Sequence, residues 1–265
     1  MNFNEKCEFL KELLLSAGEI MRSAEEDGES SIHIKGSANF VTEYDLAVQK
    51  FLLEKIKDAI PDAQFIAEEK ENSSEALLAD SCFIIDPIDG TSNFMNGLKH
   101  SCISLAYVSR GETVFGAVYD PYFKELFYAT RGEGAYLNGK PIHASHREGD
   151  RALAVFGSSP YNKDTLGEPT MELIKRCLYA FGDIRRLGSA ALDLAYLAAG
   201  RFDVFFELKL SVWDYAAGDL ILREAGGAVT QINGKPLSLE APCSVFAGNK
   251  ANHKRLLELA ADIKI

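Results

Sequence analysis

Between Glu5 and Glu25, Leu10, Leu13, Leu14, Ala17 and Met21 recur at helical spacing with charges between them, which predicts an amphipathic first helix. A second helix is predicted from near Thr42, carrying Leu46, Val48, Phe51, Leu52 and Ile56 and ending before Pro61. Between them Ile32-His-Ile-Lys35, followed by Gly36-Ser37, reads as a short strand or loop. The pattern then turns strand-like. Phe65-Ile-Ala67 and Cys82-Phe-Ile-Ile85 are short apolar runs, and strands are predicted over 103–108, 114–119 and 125–129, with a hairpin-type turn at Asn138-Gly139. After about residue 145 strands and helices alternate. Strands are expected over 153–156, 184–187, 204–207, 228–232 and 244–247, and helices over 170–180, 189–199, from Asp214 to Gly226-Gly227, and from about Asn252. An antiparallel α+β half (1–145) followed by an α/β half (146–265), with no Pro-rich or Gly/Ser-rich linker, predicts layered sheets and helices packed as one unit, with a site between the halves.

Composition narrows the class. At 265 residues, 47% hydrophobic and 25% charged, the chain resembles ordinary globular proteins. Lys plus Arg number 28 against 39 Asp plus Glu, a net charge of −11 without a dense basic run, which argues against nucleic acid as a main partner. An anionic substrate is still compatible, because bound cations would reverse the local field. The N-terminus lacks a secretory pattern, and no apolar run approaches the ~20 residues needed to cross a bilayer, so the expected location is cytoplasmic. Five scattered cysteines without a C-x-x-C pair read as free thiols.

The chemistry is concentrated in Asp86-Pro-Ile-Asp-Gly-Thr-Ser-Asn-Phe94. Pro87 cannot extend a central strand, so the chain is expected to leave the sheet at Asp86, with Asp89 within one turn and Gly90 permitting that turn. Hard cations such as Mg²⁺ use one or two protein carboxylates together with phosphate oxygens. A lone D-x-x-D is as readily a turn or a cap. Two further acidic sites at element ends, Glu68-Glu69 and Asp214, point to a site assembled from distant segments. Covalent phosphatase chemistry lacks its residues: no cysteine is followed six positions later by arginine, there is no Arg-His-Gly, and the aspartates are not spaced D-x-D. The five histidines form no metal spacing and are read as structural or surface residues.

Ala67-Glu-Glu69, Asp86-Pro-Ile-Asp-Gly-Thr91 and Trp213-Asp-Tyr-Ala-Ala-Gly218 resemble the three signature motifs of the inositol monophosphatase family, within the lithium-sensitive, Mg²⁺-dependent phosphatase superfamily. Val41-Thr-Glu-Tyr-Asp45, Gly132 to Gly139, Gly188-Ser-Ala-Ala191 and Glu207 extend the resemblance over nearly the whole chain. Ala67 departs from the family's usual Gly. The resemblance implies an α-β-α-β-α sandwich and a homodimer. It implies two Mg²⁺ per subunit: Glu69, Asp86 and the Ile88 carbonyl for one, Asp86, Asp89 and Asp214 for the other, with a third, weaker ion near Glu69. Thr91 and Asp45, with Glu69, would be catalytic and orient an attacking water, Gly90 and Thr91 amides would meet the phosphate, and Ser189, Ala190 and Glu207 the alcohol. The reaction implied is hydrolysis of a small phosphorylated polyol or sugar, myo-inositol monophosphate first, without a phosphoenzyme. Sugar bisphosphatase, histidinol phosphatase and 3′-nucleotide phosphatase activities are rivals, and a regulatory binding role is a further one, since some family members associate with transcription machinery. Ser92-Asn-Phe94 resembles the inositol branch.

Structural readings compete at several positions. Thr42 and Asp45 fit a variant capping box, and Thr91 fits a helix cap. Glu68 reads as solvated or supporting a ligand, Trp213 as a packing anchor, and Glu207 as a strand-end carboxylate.

Overall fold

A computed structural model of the chain describes residues 1–27, 32–36 and 39–265. Helix α1 (Phe3–Asp27) is followed by a hairpin of β1 (Ile32–Gly36) and β2 (Asn39–Thr42), and then by α2 (Glu43–Ala59). Ser37 of the expected Gly36-Ser37 break lies outside the described residues. Next come β3 (Gln64–Ala67), β4 (Cys82–Asp89), the five-residue α3 (Thr91–Met95), β5 (Cys102–Ser109), β6 (Glu112–Asp120), β7 (Glu125–Thr130), β8 (Gly134–Leu137) and β9 (Lys140–Ile142). Strands β3 to β9 lie side by side in sequence order, antiparallel apart from the β3–β4 pair.

The remainder comprises β10 (Leu153–Phe156), α4 (Lys163–Ala180), β11 (Asp183–Arg185), α5 (Ala190–Ala198), β12 (Val204–Leu210), α6 (Val212–Glu224), β13 (Ala228–Thr230), β14 (Cys243–Gly248) and α7 (Lys250–Leu259). Its strands form a mixed sheet in the order β11-β10-β12-β14-β13.

Side-chain parity produces the layers. On β4, Phe83 and Ile85 pack with Leu10 and Leu14 of α1 and Leu52 and Ile56 of α2, whereas Cys82 and Ile84 join the cluster built on Leu194 of α5 and Tyr215 and Ile221 of α6. Burial on both faces is why 82–85 reads as continuously apolar. On the second sheet Phe205, Val245 and Ala247 belong to the α5/α6 cluster, while Phe206 and Phe246 pack with Leu173 of α4 and Leu256 of α7. The order is therefore helices, sheet, helices, sheet, helices, as expected. Among the described residues no helix is long and apolar enough to cross a membrane.

Boundaries differ from the pattern in instructive places. Helix α4 starts at Lys163, seven residues before the expected start at Thr170, and contains Pro169. Leu166, Thr170, Leu173 and Cys177 form one buried stripe, and seating Leu166 extends the helix upstream through the proline. Strand β12 runs on to Leu210, past the expected end at Glu207, because it pairs with β14 through a bulge.

Candidate metal-binding active site

The central motif does not leave the sheet at Asp86, as Pro87 suggested. Strand β4 continues to Asp89, with Asp86 paired to Ser104 and Asp89 to Cys102, so three steps along β4 match two along β5. That is a β-bulge, one extra residue in one strand. Side chains on a regular strand alternate, so residues three apart would face opposite sides; the bulge returns Asp86 and Asp89 to the same side. Asp86 Oδ1 accepts from the Ile88 amide (3.1 Å), which steadies the bulge. Gly90 follows at φ +88°, where a Cβ would meet the Gly188 and His100 carbonyl oxygens at 3.1 Å, so both conformation and space select glycine.

Asp214 arrives from the start of α6, where its Oδ2 accepts from the Ser211 amide (2.7 Å). One oxygen each from Asp86, Asp89 and Asp214 lies within 4.8 Å of the others. The same division of labour holds for Asp89: Oδ2 accepts from Ser189 Oγ (2.6 Å) and the Ala191 amide (2.7 Å) at the head of α5. Each aspartate is thus held by scaffold donors and still contributes to a common acidic centre. Burial, then the neighbouring charges of Glu68, Asp89 and Asp214, pushes Asp86 well above the usual carboxylate range; burial followed by Asp89 and Glu68 does the same to Asp214. Among the described residues none of the three forms a salt bridge with a basic side chain. Crowded, largely buried oxygen ligands without a protein counter-charge fit a hard divalent cation such as Mg²⁺.

The two oxygens of Asp45 face different groups. Its Oδ2 accepts from the Thr42 amide (2.8 Å) and Thr42 Oγ1 (2.5 Å), the capping box of α2, while Oδ1 lies 3.4 Å from Thr91 Oγ1. Burial raises its pKa to about 6 against the lowering effect of the Thr42 bonds, with the Glu69 charge adding to the rise. Thr91 is not a cap: Gly90 occupies the N-cap of α3, and the Thr91 hydroxyl reaches the Ile88 carbonyl at 3.1 Å.

The three aspartates and Thr91 border a cavity of 230 Å³ lined by Glu68, Asp86, Ile88, Asp89, Gly90, Thr91, Ser189, Ala190, Glu207, Trp213 and Asp214, among others, whereas Asp45 lies behind Thr91 and is not among the lining residues. Glu68 is on this wall, and its charge acts on Asp86 and Asp214. Glu69 is not among the lining residues; its backbone is gripped by Gln49 of α2 through two 2.9 Å hydrogen bonds. Of the two glutamates it is thus Glu68 that lines the cavity, while the Glu69 charge acts on Asp45. Ser189 is at the site, but its hydroxyl is directed to Asp89.

Glu207 is 7% exposed and belongs to the cavity wall. Its Oε1 accepts from the Ser159 amide (2.7 Å) and Ser159 Oγ (3.2 Å), and a Cβ on Gly157 would fall 1.7 Å from Oε2. The 157–162 loop, which the sequence pattern did not single out, therefore clamps this carboxylate. Gly157→Ala is expected to cost about 1–3 kcal/mol by overpacking, measured in denaturant melts. In a Glu207→Ala background most of that cost should vanish; an equal cost in both backgrounds would place the clash elsewhere.

Burial pushes Glu207 from 4.5 up to about 7, with the Ser159 bonds opposing. The folded state then holds this proton to higher pH than the unfolded chain. The corresponding stability is fully present below pH 4.5 and is lost as pH rises through about 7. Glu207→Gln, a neutral mimic, should therefore gain stability relative to wild type between pH 4.5 and 8 in metal-free thermal melts. A pH-independent difference would contradict the assigned shift.

Comparison with known proteins agrees with this geometry. The profile of the Inositol monophosphatase family matches residues 4–264. The chain is 42% identical over 201 residues to the Nus factor SuhB of Escherichia coli K12, covering 76% of this chain and 74% of that protein. It is 38% identical over 229 residues to an inositol-1-monophosphatase of Rhizobium meliloti, covering 86% and 85%. An IMPase structure from Thermotoga maritima superposes with a TM-score of 0.87 at 33% identity, covering 98% of each chain. Family and site together support a phosphatase, and the chain belongs to the inositol monophosphatase family.

Proposed function

We propose that the protein is a Mg²⁺-dependent phosphomonoesterase acting on a phosphorylated polyol, with myo-inositol monophosphate the first candidate. The observation that carries this reading is the convergence of Asp86, Asp89 and Asp214, from β4 and α6, within 4.8 Å. Asp86, Asp89 and Asp214 would hold one cation. Asp86, the Ile88 carbonyl and Glu68, which takes the place first expected for Glu69, would hold a second. When bound, Mg²⁺ supplies charge neutralisation for the phosphate and polarisation of the attacking water. The peptide at Gly90-Thr91 lines the cavity next to these ligands and offers amides to phosphate oxygens.

The chain's own proton path runs through Thr91. Water attacking phosphorus gives a proton to Thr91 Oγ1 as that hydroxyl passes its own proton to Asp45 Oδ1. With a pKa near 6, Asp45 is ionised and able to accept at neutral pH. The ester P–O bond breaks opposite the water, and the departing alcohol takes its proton from solvent. Positioning and charge neutralisation dominate phosphoryl transfer, so no protein nucleophile is needed.

Rates of phosphate release from inositol 1-phosphate, fructose 1,6-bisphosphate, histidinol phosphate and adenosine 3′,5′-bisphosphate at fixed Mg²⁺ test the assignment. The inositol ester is expected to be fastest; a faster bisphosphate or histidinol phosphate would move the protein to another branch of the superfamily.

The relatives named Nus factor SuhB favour a second reading, a regulatory binding role beside turnover or in its place. The charge-based argument against nucleic acid is not supported by those names. The complete acidic centre supports turnover. Homodimer formation, implied by resemblance, is part of this proposal and is read by light scattering.

A further inference from the structure

Thr91 sits on the five-residue helix α3, which is too short to hold its own geometry. A side chain two positions on ties it to the rest of the fold. Asn93 is 3% exposed, and its Nδ2 donates to the His100 carbonyl (2.7 Å) and to the Leu187 carbonyl (2.7 Å), seven and 94 residues away. The two carbonyls fix which end of the amide faces them, because only the NH₂ can donate twice. The Asn93 carbonyl in turn accepts from the Leu98 amide (3.0 Å). A buried amide is costly unless its hydrogen bonds are made, and here both donors are used to join segments distant in the chain.

The gripped segments are the ones that confine the turn before Thr91. A Cβ on Gly90 would meet the His100 and Gly188 carbonyl oxygens at 3.1 Å and the Ser189 Cβ at 3.2 Å. Asn93 thus holds both walls of the slot in which Gly90 lies, one from the approach to β5 and one from the approach to α5. Its own side chain is not among those lining the cavity, whereas Gly90, Thr91 and Gly188 are. We infer that Asn93 is a positioning residue for the proton step: by clamping the His100 and Leu187 carbonyls it sets the Gly90-Thr91 turn, and with it the direction of the Thr91 hydroxyl between the Ile88 carbonyl and Asp45. The contact it protects is a sensitive one. Thr91 Oγ1 lies 3.4 Å from Asp45 Oδ1, at the long end of a hydrogen bond, so a small shift of the turn breaks it. This inference rests on the proposed relay from Thr91 to Asp45.

Steady-state kinetics of the purified full chain with Mg²⁺ and inositol 1-phosphate, with the folded fraction measured in the same samples, test it. Asn93→Ala should lower kcat by about 10²-fold with KM little altered, since a misplacement of about 1 Å suffices for a loss of that size. In a Thr91→Ala background the same substitution should have almost no further effect, because the group it positions is gone. Asn252 supplies the control: it is 2% exposed, its Nδ2 donates to the Arg147 carbonyl (2.8 Å), and it does not line the cavity. Asn252→Ala should lose stability but keep its kcat per folded molecule. Unchanged kcat in Asn93→Ala, losses that multiply with Thr91→Ala, or an equal loss of kcat in Asn252→Ala would each overturn the inference. If Asn93→Ala does not fold, Asn93→Ser, smaller but still carrying one donor, makes the same comparison in both backgrounds. Full activity of Thr91→Ala would overturn the relay and the inference with it, whereas multiplying losses would overturn the inference alone.

Discussion

Asp86→Asn is expected to lower Mg²⁺-dependent phosphate release by about 10³-fold or more, since bound cations carry several kcal/mol of charge stabilisation in such sites. Asp86 is the carboxylate shared by both proposed cations, and asparagine is nearly isosteric but lacks the charge. The metal-free fold should respond in the opposite direction. Asp86 is 2% exposed and crowded by Glu68, Asp89 and Asp214, so removing its charge relieves repulsion between buried like charges. Thermal melts should therefore show the variant at least as stable as wild type in EDTA, and without the stabilisation that Mg²⁺ binding confers on wild type. Near-normal turnover with unchanged Mg²⁺ dependence would remove Asp86 from the site.

The second large effect concerns Thr91 and Asp45. Thr91→Ala should slow turnover by ~10² to 10⁴ with little change in stability, because its hydroxyl lies between the Ile88 carbonyl and Asp45 and caps no helix. Asp45 carries both burdens, and two substitutions separate them. Asp45→Ala loses the α2 capping box, about 0.5–2 kcal/mol, as well as the rate. Asp45→Asn can turn its oxygen to Thr42 and keep the cap, but presents an NH₂ that cannot accept a proton from Thr91. It should therefore match Thr91→Ala in rate while folding normally. If the two residues act as one relay, the double variant is scarcely slower than the worse single one. Multiplying losses, or losses that follow unfolding in the same samples, would contradict the relay.

Much of this architecture was legible in the sequence. Element types followed from periodicity, and the acids at 86, 89 and 214 stood out because charges at the ends of apolar runs are costly without a purpose. What escaped depends on partners distant in the chain. The bulge that brings Asp86 and Asp89 to one side is a property of the β4–β5 register, and Pro87 alone suggested a strand end. Which glutamate lines the cavity depends on how the segment after β3 is seated, and there Gln49 reaches over from α2 to hold the Glu69 backbone. At Asp45 the geometry accommodates both the cap and the proposed relay, since its two oxygens face different groups. Asp193 of α5, one acid in an otherwise apolar helix, borders the cavity and was not singled out. The grip of Ser159 and Gly157 on Glu207 had none, because it joins a loop to a strand end across 48 residues.

The most direct measurement is phosphate release from inositol 1-phosphate by EDTA-treated protein, before and after Mg²⁺ is restored, with Asp86→Asn in parallel. The acidic centre predicts no turnover without metal, full recovery on adding Mg²⁺ to wild type, and none in the variant. Equal release with and without Mg²⁺, or recovery in Asp86→Asn, would contradict a metal-dependent phosphatase built on these aspartates.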